Sequence, residues 1–245
     1  MEGQEEVFKK IYDSFQNGGG QFHILEHRVP LEKQLDYLIY SFNLRRKRRK
    51  QLNESDYIRY TEKLENANLS KDVKKKILTI LALSSEIRAY RLLEKYLQHP
   101  DEGLMHWASM ALMESRMAIE TELSEERQIY ISTGLGGKDG KFRFYVLMLS
   151  SQGASFVDYQ RTVIEKEFRY FLPEFDCEIE RLTINDNYVE LVFLIPVALD
   201  IKKTLETVIA ECNLYGNFML KMIAVTNVKE LNQDEINQAL KSLKK

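Results

Sequence analysis

The stretch CEIERLTINDNYVELVFLIPV, residues 177–197, decides the fold of the second half of this chain. Two runs rich in β-branched and aromatic residues, Cys177 to Ile184 and Tyr188 to Val197, flank Asn185-Asp186-Asn187. These three residues tolerate tight turns and can bond their own backbone, so the stretch predicts a β-hairpin. Upstream, Ser155 with Asp158 opens a helix carrying Phe156, Val163, Ile164, Phe168 and Phe171, closed by Pro173. Further upstream, strands are expected from Gln128 to Thr133 and from Phe142 to Leu149, joined by a glycine-rich loop. Downstream, Asp200 caps a helix with Ile201, Leu205, Val208 and Ile209, and a strand follows from Phe218 to Val225. A last helix opens at Asn232 with Glu235 three residues on, a capping-box spacing.

The order is thus β-β-α-β-β-α-β-α. Without its first strand it is the β-α-β-β-α-β ferredoxin-like arrangement; a duplicated hairpin-plus-helix unit has the same order. Up to residue 125 the texture is different: apolar residues recur at helical spacing and nothing reads as a strand. After Val29-Pro30, the stripe Leu31, Leu35, Leu38, Ile39 and Phe42 predicts a helix with one buried face. Further helices are expected from Ser55 as cap, after Ser70, over Ile87 to Leu97, and over Leu104 to Leu112, with Asp101 capping the last. The expected class is α+β: an all-α domain over 1–125 followed by an α/β sandwich over 126–245.

Composition narrows the function. The chain has 245 residues, and its formal charge of −2 excludes a globally basic nucleic-acid binder. No run approaches the ~20 apolar residues of a membrane helix. Acids at Glu2, Glu5 and Glu6 are unlike a secretory signal, so a cytoplasmic location is expected. Cys177 and Cys212 are too few for a disulfide framework. Gly134 to Lys141 has the wrong spacing for a phosphate loop, puts Phe142 where a hydroxyl is needed, and reads as a hairpin loop. His23 and His27 lack a third ligand, while His99 and His106 read as structural. Phe142, Arg143, Phe144 and Tyr145 have the composition of a base-stacking strand, but alternation divides them between two faces, so packing is expected. No catalytic constellation, metal site or cofactor is expected.

One local anomaly stands out. Arg45, Arg46, Lys47, Arg48, Arg49 and Lys50 are consecutive in a region otherwise net acidic, and Lys74, Lys75 and Lys76 form a second cluster. Such runs serve as contacts for nucleic-acid phosphates or for an acidic partner surface, beyond what helix capping requires.

Two resemblances follow from particular residues. Leu92-Leu93, His99-Pro100-Asp101-Glu102, Trp107-Ala108 and Ala111-Leu112 resemble the two helices and acidic turn of a HEAT repeat over residues 71–120. That resemblance implies a stacked helical surface for protein or nucleic acid. Asp186 to Pro196 resembles the HUH segment of single-tyrosine transposases, whose domain is ferredoxin-like. The family's two metal-binding histidines fall on Tyr188 and Glu190, and the helix from Asn232 to Leu243 has no nucleophilic tyrosine. The resemblance therefore implies a scaffold without nuclease chemistry. The sequence reading is a non-catalytic binding or scaffold protein with a protein partner. Its alternative is a nucleic-acid binder using the basic run. Because ferredoxin-like sheets pair edge to edge, a homodimer is a further expectation.

Overall fold

The computed structural model describes residues 21–47, 52–123, 128–131 and 133–242. Arg48, Arg49 and Lys50 lie outside the described residues. The chain divides into two compact units between residues 132 and 133, a few residues beyond the expected boundary at 125.

The first unit is mainly helical. Its helices are α1 (Leu31–Lys47), α2 (Glu54–Glu65), α3 (Lys71–Ala82), α4 (Ile87–Gln98) and α5 (Met105–Leu123), and short turns join α2 through α5. The cap of α2 is Asn53, two residues before the expected Ser55. Its side chain accepts from the Asp56 N–H while Asp56 reaches back to the Asn53 N–H, a reciprocal capping box. The run from Ile77 to Ala82 is buried without interruption, so α3 is the central helix, and α4 and α5 pack on it with Leu93, Ala108 and Ala111. Small alanines let the helix backbones approach closely there. The sequence shows no strand in this region, yet β1 (Gln21–Ile24) pairs in parallel with β2 (Gln128–Ile131). The strand expected from 128 therefore leaves the sandwich and joins the helical unit. Four residues of one polar-apolar period are too short a signal to register against the glycines that precede β1.

The second unit contains β3 (Gly137–Lys138), β4 (Lys141–Ser150), α6 (Asp158–Glu174), β5 (Glu178–Ile184), β6 (Tyr188–Pro196), α7 (Ile201–Asn213), β7 (Met219–Thr226) and α8 (Gln233–Ser242). Its long strands are antiparallel, and their spatial order is β7-β4-β6-β5. Val146, Met148, Val189, Leu191, Phe193 and Ile195 point to one sheet face and pack on Ile164, Phe168 and Leu172 of α6 and Leu205, Val208 and Ile209 of α7. The opposite face carries Tyr145, Leu147, Leu149 and Val192 and is met by Ile236 and Leu240 of α8. Each fully buried side chain of this size contributes roughly 1.5–3 kcal/mol.

The glycine-rich segment is a hairpin loop, as its spacing implies. Asp139 and Gly140 both have positive φ, at 50° and 74°, between the paired Gly137–Lys138 and Lys141–Phe142. Gly134 meets a different demand: a Cβ there would lie 1.8 Å from the Val228 carbonyl oxygen. Only glycine admits so close a backbone.

Candidate interaction surface

The side chains of α1 that were expected to be buried face outward. Leu31, Leu35, Leu38, Ile39 and Phe42 are 46, 58, 50, 53 and 62% exposed, while Gln34, Tyr37 and Ser41 are 6, 0 and 2% exposed. The apolar stripe is real, but the helix is rolled so that a polar face packs inward.

The cause lies on α5. The Glu114 carboxylate, largely shielded from solvent, accepts hydrogen bonds from Tyr37 Oη at 2.7 Å, from Ser41 Oγ at 2.7 and 2.8 Å, and from Arg45 Nη2 at 2.9 Å. These donors stand at i, i+4 and i+8, one face of α1. A carboxylate held away from water needs such donors, because leaving it without them costs several times what exposing a leucine does. Trp107 completes the seat: Tyr37 and Tyr40 meet its ring edge-on at 5.1 and 5.2 Å, and Lys75 Nζ lies 4.7 Å from its centroid. Burial, then the neighbouring Glu114 charge, pushes the Tyr37 phenol well above its ordinary range, so it stays a donor. The result is a contiguous apolar surface of five large side chains on one helix. A lone exposed leucine needs no explanation, whereas five large apolar side chains on one helix face form a patch.

The basic residues are distributed differently from their spacing in sequence. Arg45 is committed to Glu114, whereas Arg46 is exposed at the end of α1. Lys74, expected on a basic surface, is instead 1% exposed. Its ammonium donates to the Leu64 carbonyl at 3.0 Å and to Asp101 Oδ2 at 2.7 Å. Tyr96 Oη also donates to Asp101, at 2.5 Å. Burial raises the Asp101 carboxyl, but the bonds from Lys74 and Tyr96 outweigh it and hold the group below its ordinary value. Lys74 is thus a structural cation between the α2 end and the α4–α5 turn. Asp101, expected as a cap, spends its carboxylate on this cluster. Lys75 lies over Trp107, and of the three lysines only Lys76 is exposed. A groove of about 480 Å³ beside this cluster is lined in part by Leu64, Leu92, Tyr96 and Asp101, with Tyr96 bonded to Asp101.

In the sheet unit, Tyr188 and Glu190 fall on the face met by α8. Glu190 accepts from Tyr145 Oη at 2.9 Å and from Asn185 Nδ2 at 3.0 Å, so its carboxylate braces the β5–β6 turn. Arg143, 8% exposed, forms a two-pronged ion pair with Glu180 at 2.6 and 2.7 Å, and Phe142 and Tyr145 are buried beside it. These aromatics pack; they offer no stacking face. Burial raises the thiols of Cys177 and Cys212 to about 11 and about 12, away from nucleophilic use at neutral pH. His23 sits on β1, 3.3 Å from Glu120. Among the described residues no group of three or more His, Cys, Asp or Glu could hold a metal ion, and no helix is long and apolar enough to cross a membrane.

No family model matches the chain, and no curated protein matches it. Among solved structures it is similar to a "putative transposase" of Deinococcus radiodurans, at 14% identity and a TM-score of 0.38, over 43% of this chain and 93% of that one. It is also similar to a REP-associated tyrosine transposase bound to a REP hairpin, at 12% identity and a TM-score of 0.32, over 47% and 67% of the two chains. A third similarity is to the P2 domain of the chemotaxis kinase CheA in complex with CheY from Thermotoga maritima, at 18% identity and a TM-score of 0.25, over 36% of this chain and all of that one. At such low TM-scores none of these carries an argument about function.

Proposed function

We propose that this chain is a non-catalytic interaction protein whose helical unit binds a protein partner through the outer face of α1. The observation that carries the reading is the exposed stripe of Leu31, Leu35, Leu38, Ile39 and Phe42 on a helix already anchored by its polar face. A HEAT-like stack over residues 71–120 fits this role, since α3, α4 and α5 pack on one another through small residues at Ala108 and Ala111. The β-α-β-β-α-β unit serves as a ferredoxin-like scaffold, and its strand order β7-β4-β6-β5 supports that arrangement. A transposase-like ancestry without nuclease chemistry accords with Tyr188 and Glu190 at the histidine positions and with α8, which has no tyrosine. The test is an affinity capture with the immobilised chain and with a Leu35→Glu, Phe42→Glu variant. Specific proteins recovered by the first and lost by the second support the reading; capture that ignores the substitutions refutes it.

A second reading, nucleic-acid binding, keeps one supporting observation: Arg46 is exposed at the end of α1, where the basic run continues. Phosphate contacts predict affinity that falls steeply with salt. Fluorescence anisotropy with labelled single- and double-stranded DNA and RNA decides it, and absence of binding at low salt eliminates it.

A further inference from the structure

We propose that the partner covering the outer face of α1 is a second copy of this chain, paired with it as an antiparallel helix dimer. This rests on the interaction reading above and names its occupant. Three features select that occupant.

The first is spacing. Leu31, Leu35, Leu38 and Phe42 follow one another at intervals of four, three and four, the alternation that lets two helices interdigitate as knobs into holes. Ile39 widens the seam on one side. The inward residues Gln34, Tyr37 and Ser41 occupy a separate face and are used within the unit, so pairing through the seam leaves their bonds in place.

The second is charge. The helix has Glu32, Lys33 and Asp36 in its first half, net negative even with Lys33 near Glu32, and Arg45 and Arg46 at its end. The Glu32 side chain is 76% exposed, and Arg46 is exposed. A twofold axis passing between Leu38 and Ile39 sets Leu35 against Phe42 of the other copy and brings Glu32 level with position 45, one residue rise (about 1.5 Å) from the exposed Arg46. Both ends of the pair then bring opposite charges within side-chain reach, and the two helix dipoles run antiparallel. A parallel pair would instead stack acid on acid and base on base.

The third is the contrast with other occupants. A helix that lies on a membrane flanks its apolar face with lysines and arginines, which meet anionic lipid. Here one flank is Glu32, Asp36 and Asn43, Lys33 lies on the far side of the helix from the stripe, and Arg45 and Arg46 come only at the end, so anionic lipid is opposed over the first half of the stripe. Nucleic acid offers no apolar surface to five exposed aliphatic and aromatic side chains. Pairing through the sheet edge is also opposed on β5: Glu178, Glu180 and Arg181 are charged, and a register shift falls between Ile179 and Arg181. Charge and bulge are devices that keep an edge from recruiting another strand.

One helix face of about 25 Å is at the small end of stable interfaces, so the dimer forms with concentration and is not obligate. Sedimentation equilibrium of the full chain over a roughly hundredfold concentration range tests it. The expected result is a monomer–dimer equilibrium that collapses to monomer in the Leu35→Glu, Phe42→Glu variant, with the Trp107 fluorescence melts of the two chains coinciding at concentrations where the wild type is monomeric. Reversing one charge, Glu32→Arg or Arg46→Glu, weakens the dimer several-fold, and the double reversal restores it; this pattern is specific to the antiparallel register. A wild-type chain that stays monomeric throughout overturns the proposal, as does a dimer that survives the Leu35→Glu, Phe42→Glu change. Monomers that float with anionic vesicles also overturn it, in favour of a lipid surface. If the chain is monomeric yet loses captured proteins on the same substitutions, self-pairing fails while the interaction reading stands. If neither mass nor capture responds, both fail.

Discussion

Removing the carboxylate of Asp101 leaves the Lys74 ammonium 1% exposed with the Leu64 carbonyl as its remaining hydrogen-bond acceptor in this cluster. Breaking a buried ion pair from one side costs about 3–5 kcal/mol. The lower end applies, because the Asp101 side chain retains 31% exposure and is only partly desolvated in the native pair. Asp101→Ala is therefore expected to cost about 3 kcal/mol. Lys74→Met should cost less, about 2 kcal/mol, since Asp101 can turn to water and keeps the Tyr96 bond. The double variant should cost about 2 kcal/mol, well below the sum of the two, because no unpaired charge is left inside. Urea unfolding followed by Trp107 fluorescence isolates this effect: the chain has one tryptophan and it sits in the helical unit. With a slope of about 2 kcal/mol per molar, the Asp101→Ala midpoint falls by about 1.5 M. The pH dependence has a definite sign. Since the folded Asp101 carboxyl lies below its unfolded value, its stabilisation is present above the unfolded carboxyl pKa and is lost as pH falls through the folded one. The gap between wild type and Asp101→Asn should therefore close in acid, below about pH 4. An Asp101→Ala cost under about 1 kcal/mol, or additive single costs, would refute the reasoning and return Lys74 to the surface contacts that its sequence neighbours suggest.

Two other consequences can be measured on the same footing. Glu114→Ala removes the acceptor for Tyr37 and Ser41, both buried, and should cost about 2–3 kcal/mol in the Trp107-monitored transition, with Glu114→Gln retaining part of it. A loss within error would mean that α1 is held by something other than this carboxylate. Gly134→Ala forces the backbone at Val228 to move and is expected to cost the sheet unit about 2–4 kcal/mol by far-UV circular dichroism. Gly140→Ala, with open space around it and only positive φ to resist, should cost about 1 kcal/mol.

Most elements of the second half were legible in the sequence alone, although the strand from Gln128 leaves the sheet and α6 opens at Asp158 with Val157 as its cap, not at Ser155. Alternation around Asn185-Asp186-Asn187, the Asp200 and Asn232 caps and the hairpin loop within Gly134 to Lys141 are local signals, and local backbone preference was enough to place them. It also marked the apolar stripe of α1 as one face. Which way that face points was not local. A stripe at helical spacing reports that apolar residues share a side, and the ordinary inference is that the side is inward. Here the side that packs inward is the one that meets Glu114, 73 residues beyond Ser41, and the Trp107 ring. Lys74 shows the same limit in reverse: three consecutive lysines look alike in sequence, and only the position of Asp101 and the end of α2 draws the first of them inside. The parallel pairing of β1 with β2 joins residues about a hundred positions apart, and no window of sequence contains both. Periodicity fixes what each segment is; burial of charge, and the partners that charge requires, fix which face each segment turns to the core.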